Sequence, residues 1–343
     1  MSNRPVTIDM ATMKVYAPLS QAMPHQADRM VSPYPRIDDK TAMELVSPVR
    51  ILRGKKFHPP ACDYTHNVPA VVFSSGGFTG DIFHEFNEII IPLFLTTRHF
   101  QSDLVFVVND FKPQFIAKFS KVLSHLSSHE LINPAANGSV HCFPGVVVGL
   151  YFHDNLAISA ASVPTGYSML NFKQFLRESY SLRVQDLSRM KRPVLVLVSK
   201  PRAFMNQDQM VIMMKMLGFR VVLAKPGLMG NMDKYARVLN LCSVLVGAHD
   251  PGLTSEIFMP EGAVMVQVVG LGQEWASEKY YGEPAGEMGL KYIEYKVEPE
   301  ESSLVSVYMR DDPIFFQGQN FNISVVRFRK TLVKALGLLG RSA

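Results

Sequence analysis

The sequence predicts an α/β protein built from two Rossmann-like domains that face a cleft. Short buried runs rich in β-branched residues alternate with helical patterns, which is typical of parallel strands covered by helices on both faces. This alternation starts afresh at Pro193–Ser199 (PVLVLVS), after a polar stretch at 183–192. The length of 343 residues also suits two domains better than one.

These patterns divide the chain into four parts. Residues 1–60 are rich in Pro and Met with little periodicity, so we expect a loosely structured N-terminal arm. The two Rossmann-like domains are expected over 61–187 and 188–318, followed by a C-terminal amphipathic helix within 319–343. Ligands bind outside the carboxyl ends of strands in open parallel sheets, so the loops after these strands are the candidate site.

In the first domain, a buried strand is predicted at Ala70–Ser74 (AVVFS). A helix is expected from about Asp81, and Pro92 should kink or restart it because proline lacks a backbone N–H. A strand, a helix and another apolar run follow at 104–108, 112–126 and 145–152.

The second domain alternates more regularly. A helix over 170–180 precedes it, and another helix is expected from an Asn206 cap to Gly218. Thr254 should cap a short helix that ends near Met259. The remaining predictions are strands over 220–224, 243–247 and 263–269, and a helix over 232–241.

Bulk composition indicates a globular chain, with 47% hydrophobic and 19% charged residues. The net charge is +5, but no basic run of nucleic-acid-binding type occurs, so we expect no nucleic-acid partner. The charge fits either a basic cleft for an anionic ligand or a slightly basic surface. No apolar run approaches the roughly 20 residues that span a bilayer, so no membrane segment is expected in this chain.

The three cysteines, Cys62, Cys142 and Cys242, are isolated, without a CxxC pair or a nearby histidine at zinc spacing. This argues against a structural zinc site and leaves open one disulfide with one free thiol. The pairing does not follow from the sequence. Two glycosylation sequons, at Asn137 and Asn322, are a weak indication of a secretory compartment.

The first candidate loop, SGGFTG at 75–80, joins a strand to a helix. Glycines there allow backbone N–H groups to approach a ligand, and a helix N-terminus favours anions. The spacing matches neither a dinucleotide fingerprint nor a P-loop. The alternative interpretation is a tight strand-to-helix turn. The candidate ligand-binding residues are Gly76, Gly77, Thr79 and Gly80.

The helix after this loop carries His84 and Glu88 at positions i and i+4, on one face. A carboxylate beside an imidazole would orient the ring and raise its basicity, which suits a general base. The alternative is a solvated helix face.

Two loops of the second domain could bind an anion. Lys200 and Arg202 follow its first strand, where cations suit a diphosphate, and an ordinary surface loop is the alternative. The segment GAHDPGLT at 247–254 follows another strand and leads into a helix. A capped turn is the alternative there. The candidate residues in this second loop are His249, Gly252, Leu253 and Thr254.

In long stretches the chain resembles glycosyltransferase family 61, specifically its grass xylan-modifying clade. The stretches are SSGGFTGDIFHEFNEIIIPLFLTTRHF (74–100), SVHCFPGVVVGL (139–150), YARVLNLCSVLVGAHDPGLTSEIFMPEGAVMVQVV (235–269) and WASEKYYGEPAGEMGLKYIEY (275–295). With weaker stretches between them, the resemblance covers about residues 45–315.

The resemblance implies a GT-B architecture, with an acceptor-side domain over 61–187 and a nucleotide-sugar domain over 188–318. It also implies inverting transfer from a UDP-pentose, either UDP-xylose or UDP-arabinofuranose. The implied acceptor is xylan or a xylo-oligosaccharide, and the implied location is the Golgi lumen. No divalent metal or cofactor is expected besides the UDP-sugar donor. The resemblance assigns catalysis to His84 and Glu88. It assigns donor binding to the glycine loop and to Arg202, His249, Gly252, Leu253 and Thr254.

Three departures from the family pattern motivate an alternative. The chain reads HDPGLTS where the family usually reads HGAGLTN, so Asp250 places a negative charge and Pro251 removes an N–H near the expected diphosphate. Lys200 stands where the family has an arginine, and we expect this chain to lack the family's N-terminal membrane anchor. The alternative is a diverged, non-catalytic member that acts as a binding or complex partner. A nicotinamide-dependent oxidoreductase is disfavoured because the GxGxxG fingerprint is missing.

Overall fold

The computed structural model describes residues 5–18, 28–54, 57–136, 138–187, 192–199, 202–304 and 318–341. The chain divides into two compact units, residues 1–153 and 154–343. Both units combine strands with helices, which confirms the predicted α/β class. Within the residues described, no helix is both long and apolar enough to cross a bilayer.

The described residues of the first unit form two sheets. A six-stranded mixed sheet has the order β3-β4-β2-β1-β8-β5, and a three-stranded parallel sheet has the order β7-β6-β9. The strands are β1 (Val6–Asp9), β2 (Lys14–Ala17), β3 (Asp28–Val31), β4 (Val49–Arg53), β5 (Tyr64–Thr65), β6 (Ala70–Ser74), β7 (Val105–Asn109), β8 (Val140–Phe143) and β9 (Val146–Val148).

The helices of the first unit flank these strands. The long helix after β6 consists of Ile82–His84, a π-helical segment Glu85–Ile90 and Ile91–Thr97, and a 3₁₀ turn Arg98–Phe100 closes it. Pro92 lies in the first turn of the last α-helical part, so the expected restart occurs there. The other helices are Lys40–Met43, Pro113–Lys118 and Ser120–Leu126.

The expectation of a loosely structured arm over residues 1–60 is wrong. This segment supplies β1 to β4 and a short helix. Val6, Ile8 and Val15 are fully buried and pack with residues of the parallel sheet such as Val72 and Val107. Strands of four or five residues give too few alternations for a periodic signal, and their stability comes from this packing across sheets.

In the described part of the second unit, a five-stranded sheet has the order β11-β10-β12-β13-β14, and its strand pairs are all parallel. Burial on both faces explains the continuous apolar runs of its central strands. Edge strand β14 was not predicted, because charged residues interrupt its apolar pattern. The strands are β10 (Val194–Val198), β11 (Arg220–Leu223), β12 (Val244–Ala248), β13 (Val264–Val269) and β14 (Lys291–Lys296).

Helices cover this sheet, and two of them, Gln207–Met216 and Val325–Leu338, bury Met210, Phe328 and Leu332 in its core. The helix predicted from Thr254 is instead a 3₁₀ helix, Pro251–Phe258, and its N-cap is Asp250. The remaining helical segments are Met169–Tyr180, Pro226–Met229, Met232–Leu239, Glu274–Ser277, the π-helical segment Glu278–Gly282, Glu283–Glu287 and the 3₁₀ turn Pro299–Glu301.

The division between the units falls before helix Met169–Tyr180, whereas the sequence placed the boundary near 183–192. This helix packs on the second unit. The Lys173 Nζ donates to the Met288 carbonyl at 2.6 Å, and the Tyr180 ring meets Phe258 edge-on at 5.6 Å. These contacts join the helix to other elements of the second unit.

One disulfide links Cys62 to Cys142, and Cys242 is a buried free thiol. The bond joins the β5–β8 edge of the mixed sheet, where Tyr64 and His141 are paired in register. This settles the pairing that the sequence left open. Asn322 of the second sequon is exposed, and Asn137 of the first lies outside the residues described.

Candidate active site

The glycine loop of the first unit is shaped by close packing. A Cβ on Gly77, whose φ is +57°, would lie 2.3 Å from the Tyr34 ring, and one on Gly76 would lie 2.2 Å from the Leu45 carbonyl oxygen. Larger residues at either position would displace these neighbours. The glycines therefore allow Tyr34 to reach the start of the helix that carries His84.

The amides of this loop donate hydrogen bonds within the protein. Gly76 N donates to Ser74 Oγ at 2.9 Å, and Gly80 N donates to Glu85 Oε1 at 3.2 Å. The Thr79 hydroxyl donates to the Gly76 carbonyl at 2.7 Å. These hydrogen bonds are typical of a tight strand-to-helix turn, which is the alternative interpretation of the loop. Donor binding by the loop stays a prediction that these hydrogen bonds do not support.

The helix after the loop has a buried polar face. Glu85 is 2% exposed and Glu88 is 1% exposed, so the alternative of a solvated face is wrong for both carboxylates. Both lie in the π-helical segment Glu85–Ile90. Segments of this kind are rare and frequently occur at functional sites. Buried carboxylates persist only when paired, and these two have different partners.

His84 and Glu88 are in direct contact. His84 Nδ1 lies 2.6 Å from Glu88 Oε1, and the histidine side chain is 22% exposed while the glutamate is buried. A carboxylate only accepts, so Nδ1 carries the proton and donates it. In the neutral ring, Nε2 then holds a lone pair. This is the arrangement of a histidine base oriented by a carboxylate.

Glu88 is held by two residues that sequence reasoning missed, Tyr34 and Arg36. The Tyr34 hydroxyl donates to Glu88 Oε2, and Arg36 donates to Oε1 at 2.8 Å. Burial by itself would raise the pKa of Glu88, but the hydrogen bonds from His84, Tyr34 and Arg36 outweigh it and lower that pKa. Glu88 is therefore ionised at neutral pH and accepts the hydrogen bond from His84 Nδ1.

Glu85, three residues earlier, behaves in the opposite way. Burial raises its pKa, and the ion pair with Lys118 only partly opposes that effect. Glu85 also accepts a hydrogen bond from the Gly80 amide. Glu85 therefore ties the loop to the helix, and Glu88 is the carboxylate that contacts the histidine.

In the second unit, the loops after β10 and β12 meet at Arg202 and His249. The Arg202 guanidinium donates to the His249 carbonyl oxygen and, at 3.1 Å, to Gln273 Oε1. Burial lowers the pKa of Arg202, and the nearby Asp250 carboxylate opposes this shift. Arginine nevertheless remains charged at neutral pH. Lys200, the other predicted cation, lies outside the residues described.

The His249 ring is held in one tautomer. Gln267 Nε2 lies 3.0 Å from His249 Nδ1, and the Ser277 hydroxyl lies 3.3 Å from the same atom. Tyr292 donates to Gln267 Oε1 at 2.8 Å, which orients the amide so that its nitrogen faces the ring. Nδ1 is therefore an acceptor, and the ring proton lies on Nε2.

His249 is also kept neutral. Burial, and then the positive charge of Arg202, lower its pKa from 6.5 to about 4. At neutral pH the ring offers a single N–H donor and no positive charge. His249 can hydrogen-bond an anion or a carbonyl group, but it cannot take up a proton as a base near neutral pH.

The departures at Asp250 and Pro251 are accommodated locally. Asp250 is 5% exposed, and its Oδ1 accepts from Gly252 N at 2.8 Å as the N-cap of the 3₁₀ helix. Pro251 occupies the first turn, where a backbone N–H has no intrahelical partner. Both residues therefore have a structural explanation that does not require loss of function.

The remaining predicted residues of this loop are buried. Leu253 and Thr254 are fully buried, and Gly252 uses its amide for the Asp250 cap. Glu256, two residues further on, is also fully buried, and neither of its oxygens has a hydrogen-bond partner among the described residues. Burial raises the pKa of Glu256 well above its ordinary value, which favours the protonated, uncharged carboxyl.

Sequence reasoning missed the residues that position the two histidines. Tyr34 and Arg36 lie 54 and 52 residues from Glu88 in sequence, so no local pattern connects them. In the second unit, Gln267, Gln273 and Tyr292 were missed because they project from neighbouring strands and a turn. Their position beside the HDPGLTS loop is a property of the parallel sheet and its register.

Comparison with known proteins finds similar glycosyltransferases from plants. The chain is 33% identical to Xylan glycosyltransferase MUCI21 of Arabidopsis thaliana, over 89% of this chain and 70% of that protein. It is 32% identical to Beta-1,2-xylosyltransferase XYXT1 of Oryza sativa subsp. japonica, over 90% of this chain and 72% of that protein. It is also 32% identical to Alpha-1,3-arabinosyltransferase XAT3 of the same rice, over 89% and 57% respectively.

The chain therefore spans only part of the length of these relatives. No protein-family model matches it. The identity and coverage shared with the Arabidopsis and rice proteins nevertheless show that the chain belongs to the plant xylan-modifying members of glycosyltransferase family 61.

Proposed function

We propose that this chain transfers a pentose from UDP-xylose or UDP-arabinofuranose onto xylan or a xylo-oligosaccharide, with inversion at the anomeric carbon. The two α/β units would correspond to the two domains of a GT-B glycosyltransferase. The relatives' names support a pentose donor and a xylan acceptor. The observation that carries the chemistry is the contact between His84 Nδ1 and the buried Glu88 carboxylate.

In this proposal His84 is the general base. Its Nε2 lone pair takes the proton of an acceptor hydroxyl as that oxygen forms a bond to the anomeric carbon of the pentose. The bond between the anomeric carbon and the UDP oxygen breaks in the same step, so the configuration inverts. Glu88 stabilises the imidazolium that results, and Tyr34 and Arg36 hold the carboxylate in place.

Arg202 and His249 would bind the UDP part of the donor. The leaving diphosphate gains negative charge during the reaction, and a fixed guanidinium with a neutral N–H donor can stabilise it. Arg202 is pre-positioned by Gln273 and by the His249 carbonyl. We propose that these groups act without a divalent metal and that no cofactor is needed besides the UDP-sugar.

We propose the Golgi lumen as the location. The Cys62–Cys142 disulfide fits an oxidising compartment, because such bonds are rare in the cytosol. The exposed side chain of Asn322 in an N-glycosylation sequon fits the secretory pathway as well.

A transfer assay on the purified protein tests the proposal. UDP-xylose and UDP-arabinofuranose would be offered separately with xylohexaose, with and without EDTA, and mass spectrometry would detect an added pentose. We expect a pentose to be added from one donor, at a rate that EDTA does not change. Anomeric configuration of the product, read by NMR, would establish inversion.

Calorimetric titration with UDP separates the possible failures. Transfer that EDTA abolishes would contradict the metal-free mechanism while supporting the enzyme. UDP binding without transfer from either pentose donor would contradict the donor or acceptor class. Absence of both transfer and UDP binding would overturn the proposal and favour a diverged member that acts as a binding or complex partner.

A further inference from the structure

The only tryptophan of the chain, Trp275, lies on the surface of the second unit. It is 68% exposed, which is unusual for so large an apolar side chain. It borders a groove of about 290 Å³, near the lower end of the size of small-molecule sites. The groove is bounded by the helical segments over 274–287 and by the turn at 154–157.

The groove combines an aromatic face with hydrogen-bonding groups. Trp275 meets Tyr280 edge-on, with ring centroids 6.2 Å apart. Asp154, Glu283 and Glu287 supply carboxylates, and Asn155 is a further polar lining residue. An aromatic ring that packs against the C–H face of a sugar, beside carboxylates that accept from its hydroxyls, is suited to a carbohydrate.

The groove adjoins the candidate donor site. Tyr280 neighbours both Trp275 and His249, and the ring centroids of Tyr280 and His249 are 6.3 Å apart. A ligand on Trp275 would therefore approach the residues assigned to UDP, all of which belong to the same unit.

The charge of the groove favours an uncharged carbohydrate over a nucleoside diphosphate. Three carboxylates line it against one ammonium, and Lys279 is already paired with Glu283. A nucleoside diphosphate would meet repulsion there, whereas an uncharged sugar chain would not. The groove is also open at Trp275, which suits a chain that continues into solvent rather than one enclosed residue.

We propose that this groove is an acceptor subsite, in which Trp275 stacks on a neutral xylose residue of the xylan chain. This inference rests on the proposed function for the identity of the acceptor. Trp275 is a binding residue in this account and takes no part in proton transfer.

Intrinsic fluorescence tests the inference directly, because the single tryptophan makes the signal specific to Trp275. The wild-type protein would be titrated with xylohexaose, with UDP and with UDP-xylose in separate experiments, without turnover. We expect a saturable change in emission with xylohexaose and no change with either nucleotide. No change with xylohexaose, or a change with UDP-xylose instead, would overturn the inference.

Kinetics provide the second test. Trp275→Ala should raise the KM for xylohexaose about tenfold and leave the UDP Kd unchanged. Trp275→Phe keeps an aromatic ring and should therefore raise that KM less than Trp275→Ala does. Met216→Ala, which alters another exposed apolar side chain of the same unit, should leave both constants unchanged. If Trp275→Ala has an unchanged acceptor KM, the acceptor subsite is overturned. The proposed function is not, because transfer by the protein would still support it. If no transfer occurs, the fluorescence titration still decides the inference, because it requires no catalysis.

Discussion

Two histidines, one in each unit, are fixed by their neighbours in opposite states. His84 presents Nδ1 to the Glu88 carboxylate, so in the neutral ring its Nε2 carries the lone pair. His249 presents Nδ1 to the Gln267 amide nitrogen, so its Nε2 carries the proton. The group that contacts Nδ1 therefore decides whether the other nitrogen accepts or donates a proton.

Charge reinforces this contrast. An ionised carboxylate contacts the His84 ring, whereas burial and then the charge of Arg202 keep His249 neutral. A general base needs the first environment, and a hydrogen-bond donor to a leaving group needs the second. Four experiments test this contrast between His84 and His249.

The largest effect is expected at the base. His84→Ala should lower kcat by about 10²- to 10⁴-fold, the range that general-base catalysis contributes, with a smaller change in the UDP Kd. The transfer assay and UDP calorimetry would measure both quantities. His129→Ala is the matched control, because His129 pairs with Asp103 at 3.0 Å on the surface of the same unit. Equal losses in the two variants would remove His84 from the mechanism.

The second effect is on stability. The pKa of His249 is about 4 in the folded protein, below its ordinary 6.5, so between these values the unfolded chain binds more protons than the folded one. The free energy of unfolding should therefore fall as the pH drops from 6.5 to 4. In His249→Asn this fall should be smaller than in the wild-type protein, by up to about 3 kcal/mol. Urea unfolding at pH 7 and pH 4.5 measures this difference. A parallel decline in both proteins would show that His249 is not buried neutral.

The third effect concerns the donor. Arg202→Ala should raise the UDP Kd by about 10- to 100-fold, because it removes a charged donor from the diphosphate. Arg202→Lys should recover only part of the loss, since an ammonium lacks the planar fork. Arg237→Ala is the control, because Arg237 forms an exposed pair with Asp233 in the same unit. A UDP Kd unaffected by Arg202→Ala would contradict the assigned donor site.

The smallest effect is expected from the residue that sets the tautomer of His249. Gln267→Leu removes the donor to Nδ1 and should raise the UDP Kd by about 3- to 10-fold, the size of one neutral hydrogen bond. The kcat at saturating donor should change less. A loss as large as that of Arg202→Ala would indicate that the substitution disturbs the sheet and not only the ring. Comparing the thermal unfolding of the two variants would identify that case.

Much of this arrangement follows from sequence, because local patterns determine it. The alternation of apolar runs predicts the strands of the parallel sheets except edge strand β14, and the i, i+4 spacing places His84 beside Glu88. Long-range packing determines the rest. Tyr34 reaches Glu88 only because short strands of the first 60 residues join a mixed sheet, and no periodic signal marks those strands. Burial of the polar helix face likewise depends on neighbours far away in sequence.

The most direct test of the contrast between the histidines is ¹⁵N NMR of histidine-labelled protein at neutral pH. His84→Ala and His249→Asn would assign the two rings, and long-range ¹H–¹⁵N correlations would report which nitrogen of each is protonated. We predict a proton on Nδ1 of His84, hydrogen-bonded to Glu88, and a neutral His249 with its proton on Nε2. Two rings in the same tautomer, or a positively charged His249 at neutral pH, would contradict the account.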